Sequence, residues 1–163
     1  MDSTDAIDSL LDAWRTARPD LDPAPLGLVG RVIVLAKKLE RDVDAALEKH
    51  GLTLGQFDIL ATLRRSGLKG GLTPTQLLES VVLSSGGMTA RLDQLAKDDL
   101  IARRADATDR RKVVVELTAK GRKAIDAATA TRFEVAKNAL PPLKPAERKQ
   151  LESLLRIWLA SRE

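Results

Sequence analysis

After Leu100 the hydrophobic rhythm of this chain leaves the 3.6-residue period of helices and becomes alternation. Ile101–Ala105 and Lys112–Leu117 read as strands, the second carrying Val113, Val115 and Leu117 at alternate positions. Between them Asp106-Ala107-Thr108-Asp109-Arg110-Arg111 forms a polar, arginine-tipped loop, so the two strands predict a β-hairpin. The rest of the sequence reads as helix. The expected fold is therefore mainly α with one small two-stranded hairpin.

The helices are punctuated by caps and breakers. Ile7, Leu10, Leu11 and Trp14 form one stripe of a helix over residues 3–17, and Pro19, Pro23 and Pro25 break the chain after it. A long helix from Leu28 to His50 carries the near-heptad stripe Leu28, Val32, Leu35, Leu39, Val43 and Ala46, with Gly51 as its stop. Thr53 and Gln56 form one capping box before the apolar stretch Leu54–Leu63. Thr73 and Gln76 form a second, with Pro74 at the first helical position of a helix reaching to about 82. Ser84-Ser85-Gly86-Gly87 opens another helix to about Asp98, with Met88, Leu92 and Leu95 facing inwards. Two short helices joined by a tight turn make a helix-turn-helix, and the hairpin directly after them is its wing. Helices return at about 118–139 and 146–161, the last with Leu151, Leu154, Leu155, Trp158 and Leu159 on one broad face.

Composition removes most chemistry. The chain of 163 residues has no Cys, one His, no Tyr and four aromatics, which excludes a disulfide framework and a thiolate nucleophile. A zinc site resting on carboxylates and His50 alone is not expected, and no cofactor is implied. His50 ends a helix by itself, and no phosphate-cradling glycine loop follows a strand, so an enzyme is not expected either. No run approaches the ~18 apolar residues of a membrane span, and the acidic start is not a secretory signal, which points to a reduced, cytosolic protein.

Charge is unevenly placed. Six acidic and two basic residues give −4 over 1–30, nine and ten give +1 over 31–100, and eight and fifteen give +7 over 101–163. A basic C-terminal half suggests a polyanion, and a B-DNA major groove, about 12 Å wide, accepts one helix. On the second helix of the pair Gly86, Ala90, Asp93, Gln94 and Lys97 point away from the core face, with Ser85 and Thr89 towards one edge. Arg110, Arg111 and Lys112 at the loop suit phosphates or a narrow minor groove, with Asp109 placed to hold the Arg111 guanidinium. The candidate DNA contacts are Thr73, Thr75, Gln76, Ser84, Ser85, Gly86, Thr89, Gln94, Arg110, Arg111 and Lys112, with Asp109 in support.

The same residues carry a resemblance. Leu52-Thr53-Leu54-Gly55-Gln56-Phe57-Asp58-Ile59-Leu60, then Leu72-Thr73-Pro74-Thr75-Gln76-Leu77, Ser84-Ser85-Gly86-Gly87-Met88-Thr89 and Asp106-x-x-Asp109-Arg110-Arg111 up to Leu117-Thr118-x-x-Gly121 resemble the DNA-binding lobe of the MarR family. The resemblance spans about residues 28–160. It implies a winged helix-turn-helix repressor, a homodimer joined by its terminal helices, and a pseudopalindromic double-stranded operator read by two recognition helices one helical turn (~34 Å) apart. The expected organisation is an extra helix and linker over 1–25, a dimerisation helix over 26–51, the DNA-binding lobe over 52–118 and dimerisation helices over 119–163.

The extra N-terminal helix is similar to that of the urate-responsive UrtR/PecS-type branch. That likeness implies Trp14, Asp58, Arg91 and Arg103 as sensing residues and a small anionic ligand, urate or a related purine. An organic acid or a phenolic compound in the same fold, and an architectural protein that binds DNA without choosing sequence, remain the alternatives. Read from the residues alone, Asp58 sits in a nearly apolar helix, where an unpaired carboxylate is expensive and calls for a cationic partner, with Arg91 as candidate. Trp14 completes an apolar stripe and has packing as its competing role. Arg103, on a wing strand beside Arg104, has a phosphate contact as its own.

Overall fold

Side-chain caps set the helix starts. The computed structural model describes residues 4–67, 70–81, 87–106, 109 and 111–162. Helix α1 (Ala6–Ala17) begins at Asp5, whose Oδ1 accepts from the amides of Ile7 and Asp8 at 2.8 and 3.1 Å. Helix α2 (Ala24–Leu47) starts earlier than its stripe suggested, because Pro25 serves its first turn instead of ending the linker. A turn of 3₁₀ helix over Glu48–His50 and a left-handed Gly51 finish it. Thr53 and Thr73 start α3 (Leu54–Ser66) and α4 (Pro74–Ser80) through the two expected boxes, Gln56 and Gln76 each returning Oε1 to the cap amide at 2.9 Å. Helix α5 spans Met88–Lys97 and follows a left-handed Gly87.

Strands β1 (Ile101–Ala105) and β2 (Val113–Leu117) pair antiparallel from Ile101↔Leu117 to Ala105↔Val113. Leu72, between α3 and α4, adds a bridge to Val115 through bonds of 3.0 and 2.8 Å, which ties the hairpin to the helix pair. Thr118 then starts α6 (Ala119–Asn138): its Oγ1 accepts the Gly121 amide at 2.9 Å while its hydroxyl donates to the Asp99 carbonyl at 2.7 Å. Helix α7 (Pro145–Ala160) ends the chain.

One core serves the whole body. Leu47 of α2, Ile59 and Leu60 of α3, Leu77 of α4, Leu95 of α5, Val115 of β2 and Ile125 of α6 are all fully buried. Helix α1 lies outside this core, against α2: Ile7 fits over Gly30 and Leu11 over Gly27, where a β-carbon would stand only 3.3 and 3.1 Å from them. Arg31 of α2 clasps the start of α1, Nε reaching Asp5 Oδ2 at 2.8 Å and Nη2 reaching Asp8 Oδ1 at 2.5 Å. The Asp5 amide and then Arg31 hold the Asp8 carboxyl below the usual carboxylate range.

Only the C-terminal end of the α2 stripe faces this core. Leu28, Leu35 and Leu39 are exposed, whereas Val43 of the stripe is buried, together with Gly27 and Leu47. Helix α7 buries no residue at all, and Leu151, Leu154, Leu155, Ile157 and Leu159 lie open. Phe133 of α6 is 72% exposed. These apolar faces have no covering element among the described residues of the protomer.

Candidate nucleic-acid interface

Helix α5 presents one face outward because the opposite one is anchored: Leu92 and Leu95 are buried, while Thr89, Ala90, Asp93, Gln94 and Lys97 are exposed. Gln94 is folded back along its own helix, donating to both carboxylate oxygens of Asp98 at 3.0 and 2.9 Å. Arg103 of β1 reaches Asp93 at 2.6 Å, so the wing strand and the exposed face of α5 are joined by an ion pair. On α4, Thr75 is exposed, but Thr73 Oγ1 and Gln76 Oε1 are engaged in the capping box, leaving the Gln76 amide nitrogen as its free polar atom. Ser84, Ser85, Gly86 and Arg110 lie outside the described residues.

The wing is organised by Asp109. Its Oδ1 accepts from the Arg111 amide at 3.1 Å and from Arg111 Nε at 3.3 Å, its carbonyl accepts from the Lys112 amide at 2.8 Å, and its Oδ2 lies 3.8 Å from Lys112 Nζ. Asp106 Oδ1 in turn accepts the Asp109 amide at 2.8 Å. The result is an Arg111 side chain 93% exposed yet aimed by a carboxylate held on backbone. A cation projected in this way can meet a phosphate with less rotamer entropy to lose than a free side chain. Eight basic and three acidic residues over 101–123 put +5 on and just after this hairpin.

The expected sensing residues do not share one cavity. Trp14 lines a shallow hollow with Arg18, Leu21, Pro23, Pro25 and Leu26, above the proline linker. Arg91 lies across Gly55, where a β-carbon would stand 2.5 Å from Nε, and lines a cavity with Glu40, Asp44 and Gln94. Asp58 faces a different cavity, between α3 and α6, and Arg103 is on the wing. The expectation of an Asp58 ion pair is corrected here. Asp58 Oδ2 is buried with no hydrogen-bond partner, because the guanidinium of Arg91 is drawn over Gly55 instead. Burial raises the Asp58 carboxyl above its ordinary range, against the pull of Arg132, Arg65 and Arg91.

Sequence reasoning missed several connections. Arg65 Nη2 donates to Thr62 Oγ1 at 3.0 Å and to the Ser80 carbonyl at 2.8 Å, binding the end of α3 to the end of α4. His50 Nε2 lies 2.8 Å from Thr131 Oγ1, joining the end of α2 to α6. Among the described residues no three His, Cys, Asp or Glu side chains gather into a metal site, and no helix is long and apolar enough to cross a membrane.

A two-helix unit with an exposed reading face, a hairpin with a projecting arginine and a helical body carrying open apolar faces define a winged helix-turn-helix DNA-binding protein. The MarR family model matches residues 52–113. The regulator PecS of Dickeya dadantii is 31% identical over 149 residues, covering 91% of this chain and 90% of that one. The chain belongs to the MarR family of DNA-binding transcription regulators and is not an enzyme. A MarR-like regulator from Bacillus cereus superposes with a TM-score of 0.74 at 22% identity, covering 83% of this chain and 96% of that one. The MepR–DNA complex of Staphylococcus aureus superposes with a TM-score of 0.70 at 25% identity, covering 82% and 96%.

Proposed function

We propose that the protein is a homodimeric, ligand-responsive repressor that binds a pseudopalindromic operator and is released by a small planar anion such as urate. The observation that carries the anion reading is Asp58: a buried, unpartnered carboxylate oxygen on a residue that lines a cavity with several arginines is a poor structural device and a good recognition one. The dimer reading rests on the open faces of α2 and α7, since large exposed apolar faces of that kind mark interfaces. In a dimer two α5 helices would enter successive major grooves with the Arg111 tips flanking them. The MepR complex with DNA supports this docking, and the likeness to PecS along nearly the whole chain supports the role of Trp14, Asp58, Arg91 and Arg103 in sensing. Arg103, paired with Asp93, is the member through which a ligand signal would reach both α5 and the wing.

Titrating urate into a gel-shift assay, on an operator selected from a random duplex pool, tests the reading. Release by urate is the expected result, and a coupling of ~1–3 kcal/mol suffices. Retention at millimolar urate with release by an organic or phenolic acid would replace the ligand and keep the repressor. Binding with a steep salt dependence and no sequence preference would make it an architectural protein instead. Sedimentation of the chain as a monomer at micromolar concentration would remove the dimer.

A further inference from the structure

The face that α5 turns outward carries one carboxylate, Asp93, with the exposed residues Thr89 and Lys97 one turn to either side. An anion is out of place there if the helix meets only phosphates, since like charges repel. The surroundings of Asp93 show how the charge is managed. Oδ1 accepts from Arg103 Nη2 of β1 at 2.6 Å, while the side chain stays 59% exposed. Oδ2 has no hydrogen bond or ion pair among the described residues, and Lys97, on the same row of the helix, is not bonded to it. An exposed ion pair of this kind adds little to stability, so stability does not account for an anion at this position. The pair as a whole is neutral yet directional. One carboxylate oxygen is spent on the wing, and the other is open on the reading face as an acceptor with no hydrogen to give.

The edges of the four bases decide what such an oxygen can meet. In the major groove guanine shows the acceptors N7 and O6, and thymine shows O4 and a methyl group, so neither offers it a hydrogen. Adenine and cytosine each offer an amino group. Adenine N6 lies between two acceptors, its own N7 and O4 of the paired thymine, and both repel a carboxylate. Cytosine N4 has such a neighbour on one side only, O6 of the paired guanine, and a C–H edge on the other.

We propose that Asp93 selects a cytosine in each half-site of the operator, its Oδ2 accepting from the N4 amino group while Arg103 holds Oδ1 and cancels the charge towards the phosphates. The inference rests on the reading of a dimeric operator-binding regulator whose α5 enters the major groove. It adds Asp93 to the residues that read bases and gives Arg103 the task of aiming the carboxylate.

Selection of sites from a random duplex pool by the full chain and by Asp93→Asn, Asp93→Ala and Arg103→Ala provides the test. Fluorescence anisotropy on duplexes that differ only at the assigned pair measures the ratios, and circular dichroism establishes that each variant is folded. The parent should prefer one cytosine per half-site, at symmetric positions, by about tenfold over the other bases. Asp93→Asn gains a donor beside its acceptor, the pattern that adenine N6 and N7 match, so the preference there should move to adenine. Asp93→Ala should bind all four bases at that position within about threefold of one another. Arg103→Ala leaves the carboxylate uncompensated and should bind every duplex more weakly, by about threefold or more, with cytosine still preferred. Identical base preferences in the parent and both Asp93 variants overturn the assignment, leaving the pair as a tie between helix and wing and the operator reading intact. A preference that depends on Asp93 but falls on another base overturns the cytosine. Enrichment of no sequence by the parent overturns the operator reading as well.

Discussion

The Leu100 carbonyl oxygen occupies the space beside Gly121 where a β-carbon would stand, 1.8 Å from it. That oxygen also accepts the Thr118 amide at 3.1 Å, so the turn after α5 and the start of α6 meet backbone to backbone. Gly121→Ala therefore has no side chain to push aside and must separate the two segments. The expected cost is about 3 kcal/mol, the upper part of the range for overpacking. Urea denaturation followed by circular dichroism measures it, and a loss below about 1 kcal/mol would show that the junction yields easily.

Arg111→Ala should weaken operator binding about tenfold and lower the salt slope by about one, as expected for one lost phosphate contact. Asp109→Ala leaves the cation in place but frees it from its carboxylate and undoes the loop bonds, and it should cost a smaller factor. Fluorescence anisotropy at several salt concentrations separates the two effects. Equal slopes for the parent and Arg111→Ala would remove the wing tip from the interface.

Asp58 makes stability depend on pH in a direction opposite to the common carboxylate. Its folded-state pKa is raised by burial, so the folded state holds its proton longer than the unfolded chain does. Its favourable contribution is complete below the ordinary carboxyl value of 3.8 and is lost as pH rises through the higher folded value. Asp58→Asn removes this loss. The variant should gain about 1 kcal/mol over the parent above that window and little at its acid end. Melting curves from pH 4 to 8 show whether the advantage grows with pH.

Asp8 behaves in the ordinary sense. Its folded pKa is depressed by the Asp5 amide and by Arg31, so its contribution is present above 3.8 and disappears as pH falls through the lower folded value. Because the groups are exposed, the expected effect is local: in Arg31→Ala the amides of α1 should exchange faster, with those of α3 and α6 unchanged. Hydrogen exchange by mass spectrometry reads the two sets separately. Unchanged protection of α1 would mean that Ile7 and Leu11 alone hold it.

Local rules were legible in the sequence because their causes are local. The threonine at each capping box and its glutamine are three residues apart, and the strand register follows from alternation on either side of one loop. The α2 stripe was visible for the same reason, but periodicity says only that a helix has an apolar face and not whose core the face serves. Leu28 and Leu35 turned outward because Val43, Leu47 and the glycines under α1 supply the contacts within the protomer. Asp58 shows the limit at the site. Its isolation depends on where Arg91 comes to rest, and Arg91 is held over a glycine on α3 that no spacing rule connects to it. The grip of Arg65 on Ser80 was hidden likewise, since it depends on how helices cross.

Thr118 has a mechanical consequence. It holds the turn after α5 at one end, through Asp99 and Leu100, and starts a helix of 20 residues at the other. At 1.5 Å per residue that helix is a lever of about 30 Å, so a tilt of about 5° at its pivot moves Asn138 by about 2.6 Å. In reverse, the same geometry ties a displacement at the far end of α6 to a smaller one at the turn after α5.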